Sequence, residues 1–418
     1  MILTLPFFSF AAVIGMAQDY VGSNNINLLV PSGQFGTRLA GGDDAASPRY
    51  IFTHLSPVAR YLFPEDDDIL LQYLEDDGQM IEPQFFCPII PLLIVNGSQG
   101  IGTGWSTFIP PHDPRSVLDY IRAKLEDKQS MPAIEPYARG FSGIIERDAE
   151  GRRGYVSYGR VEQIDSKTVL IDELPIGTWT NSYKAQLLTM RDKGVITEFE
   201  ENHTTTKVSF KVQLKPLQLS KMKKGGLEKA FKLKSNLLLT NMNAFDSSNS
   251  ISKFDSAEAI ADAYFPTRMS LYHDRKSVLQ SEMNYAATVL RNKARFIEAI
   301  SKGEVDLIGG RSTKEDTANS LQSLGFASVS ELEAIRKNNS LNRDLVQEGE
   351  TSETVVPAEP VDSHFDYLLK MPLSSLQVER IEGLQREATK TEEELHDIET
   401  KRPEDLWMTD LEKLAPHL

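Results

Sequence analysis

Residues 268–302 read RMSLYHDRKSVLQSEMNYAATVLRNKARFIEAISK. Leu279, Met283, Ala286, Leu290, Lys293, Ile297 and Ile300 fall at alternating steps of four and three, and only Lys293 breaks the apolar seam. That period lets two helices keep one stripe against each other. A second run at 381–398 places Ile381, Leu384, Ala388, Thr391, Leu395 and Ile398 in the same rhythm, with only Thr391 polar. The sequence between the runs is helical and polar in character. The pattern predicts the two arms of an antiparallel coiled coil, although two ordinary amphipathic helices carry the same periodicity.

Upstream of the arms, residues 113–265 alternate β-branched runs with helical ones, as a mixed α/β domain does. Val156–Val161 and Thr168–Ile171 predict strands. Asn181–Arg191 predicts a helix. Pro216–Lys224 predicts a shorter one, with Pro216 in its first turn and Gly225-Gly226 as its stop. Residues 83–110 are rich in Pro and Ile and end in a glycine-rich loop. Residues 15–50 run from a helix end through the polar turn Gly22-Ser23-Asn24-Asn25 into a loop with Gly33, Gly36, Gly41 and Gly42. A short helix is expected from Pro57 to Leu62. Residues 347–364, QEGETSETVVPAEPVDSH, are polar and acidic and read as a flexible insertion.

The chain has 418 residues, enough for two or three domains. Its net charge of −15 excludes a surface uniformly coated for phosphates, so charge is read by segment. Residues 60–83 hold eight acids against one Arg, among them the triplet Asp66-Asp67-Asp68, read as solvated surface. Residues 203–234 hold nine Lys against the single acid Glu228. Such a run is either a solvated face or a phosphate-contacting stripe. Cys87 is the one cysteine, which excludes an internal disulfide, and it reads as small apolar filler. Residues 1–14, MILTLPFFSFAAVI, are apolar like a signal-peptide core but lack a basic leader, and read as an artificial start. No stretch is long enough for a clear membrane-spanning helix, so no membrane partner is expected.

Tyr50 carries the strongest chemical signal. It follows Gly33-Gln34-Phe35-Gly36-Thr37-Arg38 and Gly41-Gly42-Asp43-Asp44-Ala45-Ala46-Ser47-Pro48-Arg49. Glycines permit a backbone to approach another backbone closely, a phosphate backbone included. Arg38 and Arg49, both ahead of the tyrosine, read as phosphate clamps.

Residues 16–53, MAQDYVGSNNINLLVPSGQFGTRLAGGDDAASPRYIFT, resemble the active-site segment of the eukaryotic type IIA DNA topoisomerases. Asn96-Gly97-Ser98-Gln99-Gly100-Ile101-Gly102-Thr103-Gly104-Trp105-Ser106, closed by Ile109-Pro110-Pro111-His112, resembles that family's DNA-bending loop. Glu173-Leu174-Pro175 with Thr178-Trp179-Thr180 resembles its tower domain. Phe365–Leu369 and Pro403–Trp407 resemble the return arm of its coiled coil. The bacterial gyrase and topoisomerase IV chains of this type share the Arg-Tyr pair and the Gly-Ile loop. Arg-Tyr-Ile-Phe-Thr and Gly-Thr-Gly-Trp-Ser look eukaryotic.

The resemblance implies an α+β fold with a partial winged-helix remnant, a mixed α/β tower domain and an antiparallel coiled coil with a helical C-gate. The implied boundaries are 1–14 atypical start, 15–62 partial winged-helix region with Tyr50, 63–265 tower-like DNA-bending domain, 266–303 first arm, 304–346 helical dimer gate, 347–364 flexible acidic insertion and 365–418 gate end and return arm. It implies that Tyr50 attacks a DNA phosphodiester and keeps the 5′ phosphate, conserving the bond energy for rejoining. A phenol titrates near pH 10 in water, so it needs help as a nucleophile. Arg49 supplies part of that help by stabilising developing negative charge. Arg38 and His112 are implied contacts to the DNA backbone, although packing serves His112 equally well. Ile101 is implied as a wedge between base pairs, whereas a core residue in a tight turn is the plain alternative. Lys221, Lys223, Lys224 and Lys232 would hold the bent duplex without reading sequence.

Two parts of the chemistry are not found in these residues. The family binds Mg²⁺ through carboxylates of a separate Toprim domain and ATP through another domain, and no phosphate-binding loop is recognisable here. The resemblance further implies double-stranded DNA as partner, a homodimer and a nuclear location. Two functions therefore compete: the breakage–rejoining part of an ATP-hydrolysing type II topoisomerase, inactive alone, and a non-catalytic DNA-binding or dimerisation module.

Overall fold

The structure is a computed structural model that describes residues 5–148, 153–305, 314–337, 364–371 and 378–418. The expected insertion at 347–364 lies outside the described residues apart from His364.

In chain order the first elements are α1 (Leu5–Ala17), α2 (Ala59–Leu62), β1 (Tyr73–Asp76), β2 (Gln79–Pro83), α3 (Leu92–Val95), β3 (Ser98–Gly102), β4 (Trp105–Ile109) and α4 (Pro114–Leu125). Then come β5 (Ile144–Arg147), β6 (Gly154–Tyr158), β7 (Arg160–Gln163), β8 (Thr168–Glu173), α5 (Thr180–Asp192), β9 (Glu198–Glu201), β10 (Phe210–Gln213), α6 (Pro216–Gly225) and α7 (Leu227–Ala230). The remainder is β11 (Lys234–Leu238), β12 (Met242–Phe245), β13 (Ile251–Phe254), α8 (Ala257–Ser301), α9 (Lys314–Ser323), α10 (Val329–Lys337), α11 (Asp366–Leu369), α12 (Val378–Thr400) and α13 (Pro403–Leu414).

Two units divide these elements. One comprises the chain up to Arg268 together with Trp407–Leu418, and the other is Met269–Leu406. In the first unit every named strand pairing is antiparallel. The alternation of strand and helix thus builds an α+β unit and no parallel sheet among the described residues. One sheet has the order β7-β8-β10-β9, a second β11-β6-β5, and the pairs β1-β2, β3-β4 and β12-β13 are hairpins. Val169 and Ile171 of β8 and Phe210 and Val212 of β10 share one buried cluster with Tyr183 and Leu187 of α5. The period-2 spacing on the strands and the four-residue spacing on the helix create that match. α6 begins with Pro216 in its first turn and ends at Gly226, whose φ of +88° suits only glycine well. Leu219 anchors its inner face.

α4 shows the same logic. Asp113 caps it by accepting from the Arg115 amide at 3.1 Å, Pro114 fills the first turn, and Val117, Leu118 and Ile121 are buried. Trp407 of α13 is fully buried and donates Nε1–H to the Ile89 carbonyl at 3.0 Å, which seats the chain's last helix in this unit.

Of the triplet Asp66-Asp67-Asp68, Asp66 and Asp68 are exposed as expected, and Asp67 is the exception. Asp67 pairs at 2.7 Å with Arg268, which is 1% exposed, and Asp68 pairs with Arg60 at 2.7 Å. The 3-10 turn Glu65–Leu70 fans consecutive carboxylates in different directions, so one faces inward.

In the second unit α8 and α12 run antiparallel. Lys276 donates to the Glu399 carbonyl at 3.1 Å, Arg291 to the Glu392 carboxylate at 3.1 Å, and Ala294 and Ile297 pack on Leu384. As numbers rise on one arm they fall on the other. On α12 none of the six heptad positions is exposed, and Leu384, Ala388 and Ile398 are buried. Of the seven heptad positions on α8 only Ile297 is buried, the other six are half-buried, and the neighbouring Ala287 and Ala294 are buried beside them. Near its end α8 carries a second load, because Phe296 and Ala299 pack with Leu321, Phe326, Phe365 and Leu368. Its buried band is therefore wider than a two-helix seam.

Candidate functional site

The loop from Gly33 to Ser47 is built around one carboxylate. Asp44 accepts from the Thr37 amide at 2.8 Å, from Thr37 Oγ1 at 2.6 Å and from Gln34 Nε2 at 3.1 Å, and these bonds outweigh partial burial and hold its carboxyl below the usual carboxylate range. Gly36 sits at φ +99°, where a Cβ would lie 2.6 Å from the Gly42 Cα. Gly41 sits at φ +68°, and a Cβ there would lie 2.3 Å from the Trp179 ring. The close approach that the glycines permit is thus between the loop and its own protein, not an external backbone. Tyr20 lines the same loop, and burial with the nearby Asp44 and Asp43 charges pushes its hydroxyl up to about 12.

The loop is also seated from below. Asn181 N–H donates to the Leu39 carbonyl at 2.9 Å, so a leading amide of α5 finds its partner in the loop. Arg38 pairs with Glu173, and the same guanidinium donates to the Leu174 carbonyl at 3.2 Å. Glu173 accepts further from the Leu174 amide at 2.9 Å, the Ser142 amide at 3.0 Å and Ser142 Oγ at 2.8 Å. Arg38 is 5% exposed, so the expected phosphate contact is corrected: its charge is spent inside the fold. Glu173 was legible only as part of a tower motif. Its pairing with Arg38 has no signal in sequence spacing.

Above this base the chain makes a single 3-10 turn, Pro48–Tyr50. Pro48 presets its first φ. The turn leaves Tyr50 69% exposed, with the Arg49 guanidinium 5.5 Å from the ring centroid. Flanking bridges Ser32↔Phe52 and Leu29↔Leu55 hold the segment after it. The described part of residues 15–62 is therefore the tail of α1, loop, this turn and the four residues of α2, with no complete winged helix.

Ile101 is 93% exposed on the β3–β4 hairpin, opposite Ser106, so the core alternative is excluded. Gly100 has open space where a side chain would stand, and at Gly102 an added Cβ would meet only the Trp105 carbonyl oxygen, at 3.9 Å. Trp105, opposite Gly102, is 52% exposed.

His112 takes the packing alternative, and the expected backbone contact has no exposed ring to make it. It is 1% exposed, its Nδ1 lies 3.1 Å from the Ile94 carbonyl, and burial pushes its imidazole below the ordinary range. It packs the base of the hairpin and faces no solvent.

Lys221, Lys223 and Lys224 lie on α6, with Lys223 reaching Gln163 at 3.2 Å. Lys232 is exposed between the buried Phe231 and Leu233, at a left-handed φ of +55°. The nine lysines do not form one stripe. Lys211 lies on β10 and pairs with Glu200 at 3.6 Å, and Lys234 lies on β11 with its ammonium 6.0 Å from the Tyr158 ring centroid.

Among the described residues no group of three or more His, Cys, Asp or Glu could hold a metal ion. No described helix is long and apolar enough to cross a membrane.

The family model for the DNA gyrase/topoisomerase IV A-type chain matches residues 10–412. The chain belongs to the type IIA DNA topoisomerases. Within them it corresponds to the cleavage and re-ligation domain of the eukaryotic enzymes. It is 41% identical to DNA topoisomerase 2 of Arabidopsis thaliana over 98% of its own length and 28% of that protein's. It is 40% identical to DNA topoisomerase 2-alpha of Gallus gallus, over 97% and 26%. Its structure is similar to the DNA-binding, cleavage and re-ligation domain of Plasmodium falciparum topoisomerase II, with a TM-score of 0.82, 36% identity and coverage of 97% of this chain and 54% of that one. The chain thus spans little more than a quarter of the curated relatives it matches.

Proposed function

We propose that this chain is the breakage–rejoining portion of an ATP-dependent type II DNA topoisomerase and that Tyr50 is its nucleophile. The observation that carries the reading is Tyr50 itself: a 69% exposed tyrosine on a one-turn helix, beside an arginine, on a loop locked from beneath. Attack by the phenolate oxygen on a DNA phosphorus forms the Tyr–O–P bond and expels the 3′ oxygen. Return of that oxygen reverses the step and frees the tyrosine. Arg49 lies where it can offset negative charge on the phenolate and the pentavalent transition state. Ile101 bends the duplex by parting two base pairs, and Lys221, Lys223, Lys224 and Lys232 hold its arms. The partner is double-stranded DNA, and a homodimer supplies one Tyr50 per strand, with the α8–α12 arms leading to a gate. Mg²⁺ and ATP belong to domains other than the described residues, and the nucleus is the site of action.

The test is Tyr50→Phe in the complete protein that contains this chain. The expected result is loss of covalent protein–DNA adduct and of strand passage, with DNA binding retained. Adduct formation by the Phe variant rejects Tyr50 as nucleophile, and absence of adduct from the parent protein leaves the DNA-binding module reading.

A further inference from the structure

Ile101 stands on a two-stranded hairpin with glycines on both sides, and such a ribbon is not rigid by itself. Its stiffness comes from β12 and the residue before it. The Asn241 carbonyl accepts from the Phe108 amide at 2.9 Å, and the Asn243 carbonyl accepts from Thr107 Oγ1 at 2.7 Å. Two side-chain amides then close on Ser106. Asn243 Nδ2 donates to the Ser106 carbonyl at 2.8 Å and to Asn241 Oδ1 at 2.9 Å. Asn241 Nδ2 donates to Ser106 Oγ at 2.9 Å. Ser106 is the cross-strand partner of Ile101. The amides thus grip the residue directly opposite the wedge, and each orients the other.

We infer that Asn241 and Asn243 are positioning residues for DNA bending: they fix the β3–β4 hairpin so that Ile101 enters the duplex at a set height and direction. The inference rests on Ile101 being the wedge. Parting base pairs pushes back on the side chain, and a hairpin that yields would let the duplex straighten without releasing it. The amides of a period-2 pair on one strand face converge on the hairpin, whereas a merely solvated pair would point apart from it. Asn241, Met242 and Asn243 follow β11, the strand that begins at Lys234, so the brace and the lysine-bearing region are joined by a short connection.

The experiment uses the full chain and a short duplex labelled at both ends for energy transfer, read at protein saturation in low salt. Ile101→Ala is expected to abolish the bent population, and reading at saturation keeps any change in affinity out of the signal. Asn243→Ala is expected to shift the straight-to-bent equilibrium on the order of tenfold toward straight, the scale of two lost hydrogen bonds. In the Ile101→Ala background Asn243→Ala is expected to change nothing, because the two act through one element. Hydrogen exchange across residues 98–109, without DNA, is expected to quicken in Asn243→Ala while the rest of the chain keeps its protection. Bending by Asn243→Ala equal to the parent, with Ile101→Ala straight, overturns the positioning role alone. Unchanged exchange in the hairpin overturns it as well. Full bending by Ile101→Ala overturns the wedge reading itself, a distinct failure.

Discussion

Arg38 and Glu173 lie 135 positions apart in sequence and meet with side chains 6% and 3% exposed, tying the loop that precedes Tyr50 to the end of β8. Removing one partner of such a pair leaves the other charged and buried. Arg38→Ala is therefore expected to cost about 3–5 kcal/mol of stability by urea unfolding. Because the guanidinium does not reach solvent, a variant kept folded at low temperature is expected to bind DNA with an unchanged salt dependence. A reduced salt slope would return Arg38 to the phosphate contacts.

His112 gives a pH test. Its imidazole is pushed down from 6.5 by burial, so the folded chain binds fewer protons there than the unfolded chain does. Stability from this group is full above the unfolded value and declines as pH falls, until the folded ring itself protonates. Each unit between the two values is worth about 1.4 kcal/mol. The urea midpoint of the parent chain is expected to drop more than that of His112→Gln between about pH 7.5 and about pH 5. Equal drops would place the acid sensitivity in other groups.

The coiled coil and the short elements were legible because each is a local pattern. Six positions at 3.5-residue spacing, five of them apolar, specify α12, and Pro216 with Gly226 bracket α6 as capping chemistry requires. Tyr50, the candidate nucleophile, stood out through its neighbours in sequence, and the structure leaves it exposed. What was not legible is which polar groups turn inward. Arg38, His112 and Asp67 each look like surface chemistry in sequence, and each is met by a partner elsewhere along the chain: Glu173, the carbonyl of Ile94, and Arg268. Asn241 and Asn243 left a faint trace, two amides at period two at the head of a strand, but nothing local says what lies opposite. Burial of a polar side chain is a tertiary event, and the run Lys207 to Lys234 likewise scatters because β10, α6 and β11 each take a share.

Gly41 couples the loop to the start of α5 through Trp179. At φ +68° with the ring 2.3 Å from any added Cβ, alanine is both strained and obstructed. Gly41→Ala is expected to destabilise the chain by about 1–3 kcal/mol, and hydrogen exchange is expected to quicken from 33 to 50. Gly225→Ala is the control, since open space surrounds its Cβ position and its φ is not in the left-handed region. Equal effects at the two glycines would mean that the loop's seat on Trp179 is not what holds it.

The lysines can be sorted by their partners. Lys221 and Lys224 are exposed on α6, whereas Lys211 faces Glu200 across adjacent strands at 3.6 Å. A lysine that meets a phosphate releases about one counterion, so its loss lowers the slope of log affinity against log salt by about 0.9. Lys221→Ala and Lys224→Ala are each expected to lower the slope by that amount, equally for duplexes of unrelated sequence, because phosphate contacts carry no base identity. Lys211→Ala is expected to leave the slope alone, and its loss of stability should stay small because an exposed pair contributes at most about 1 kcal/mol. The measurement is fluorescence anisotropy of a labelled duplex across a salt series. If Lys211→Ala lowers the slope and the α6 variants do not, the duplex lies along the strands of the four-stranded sheet and not along α6.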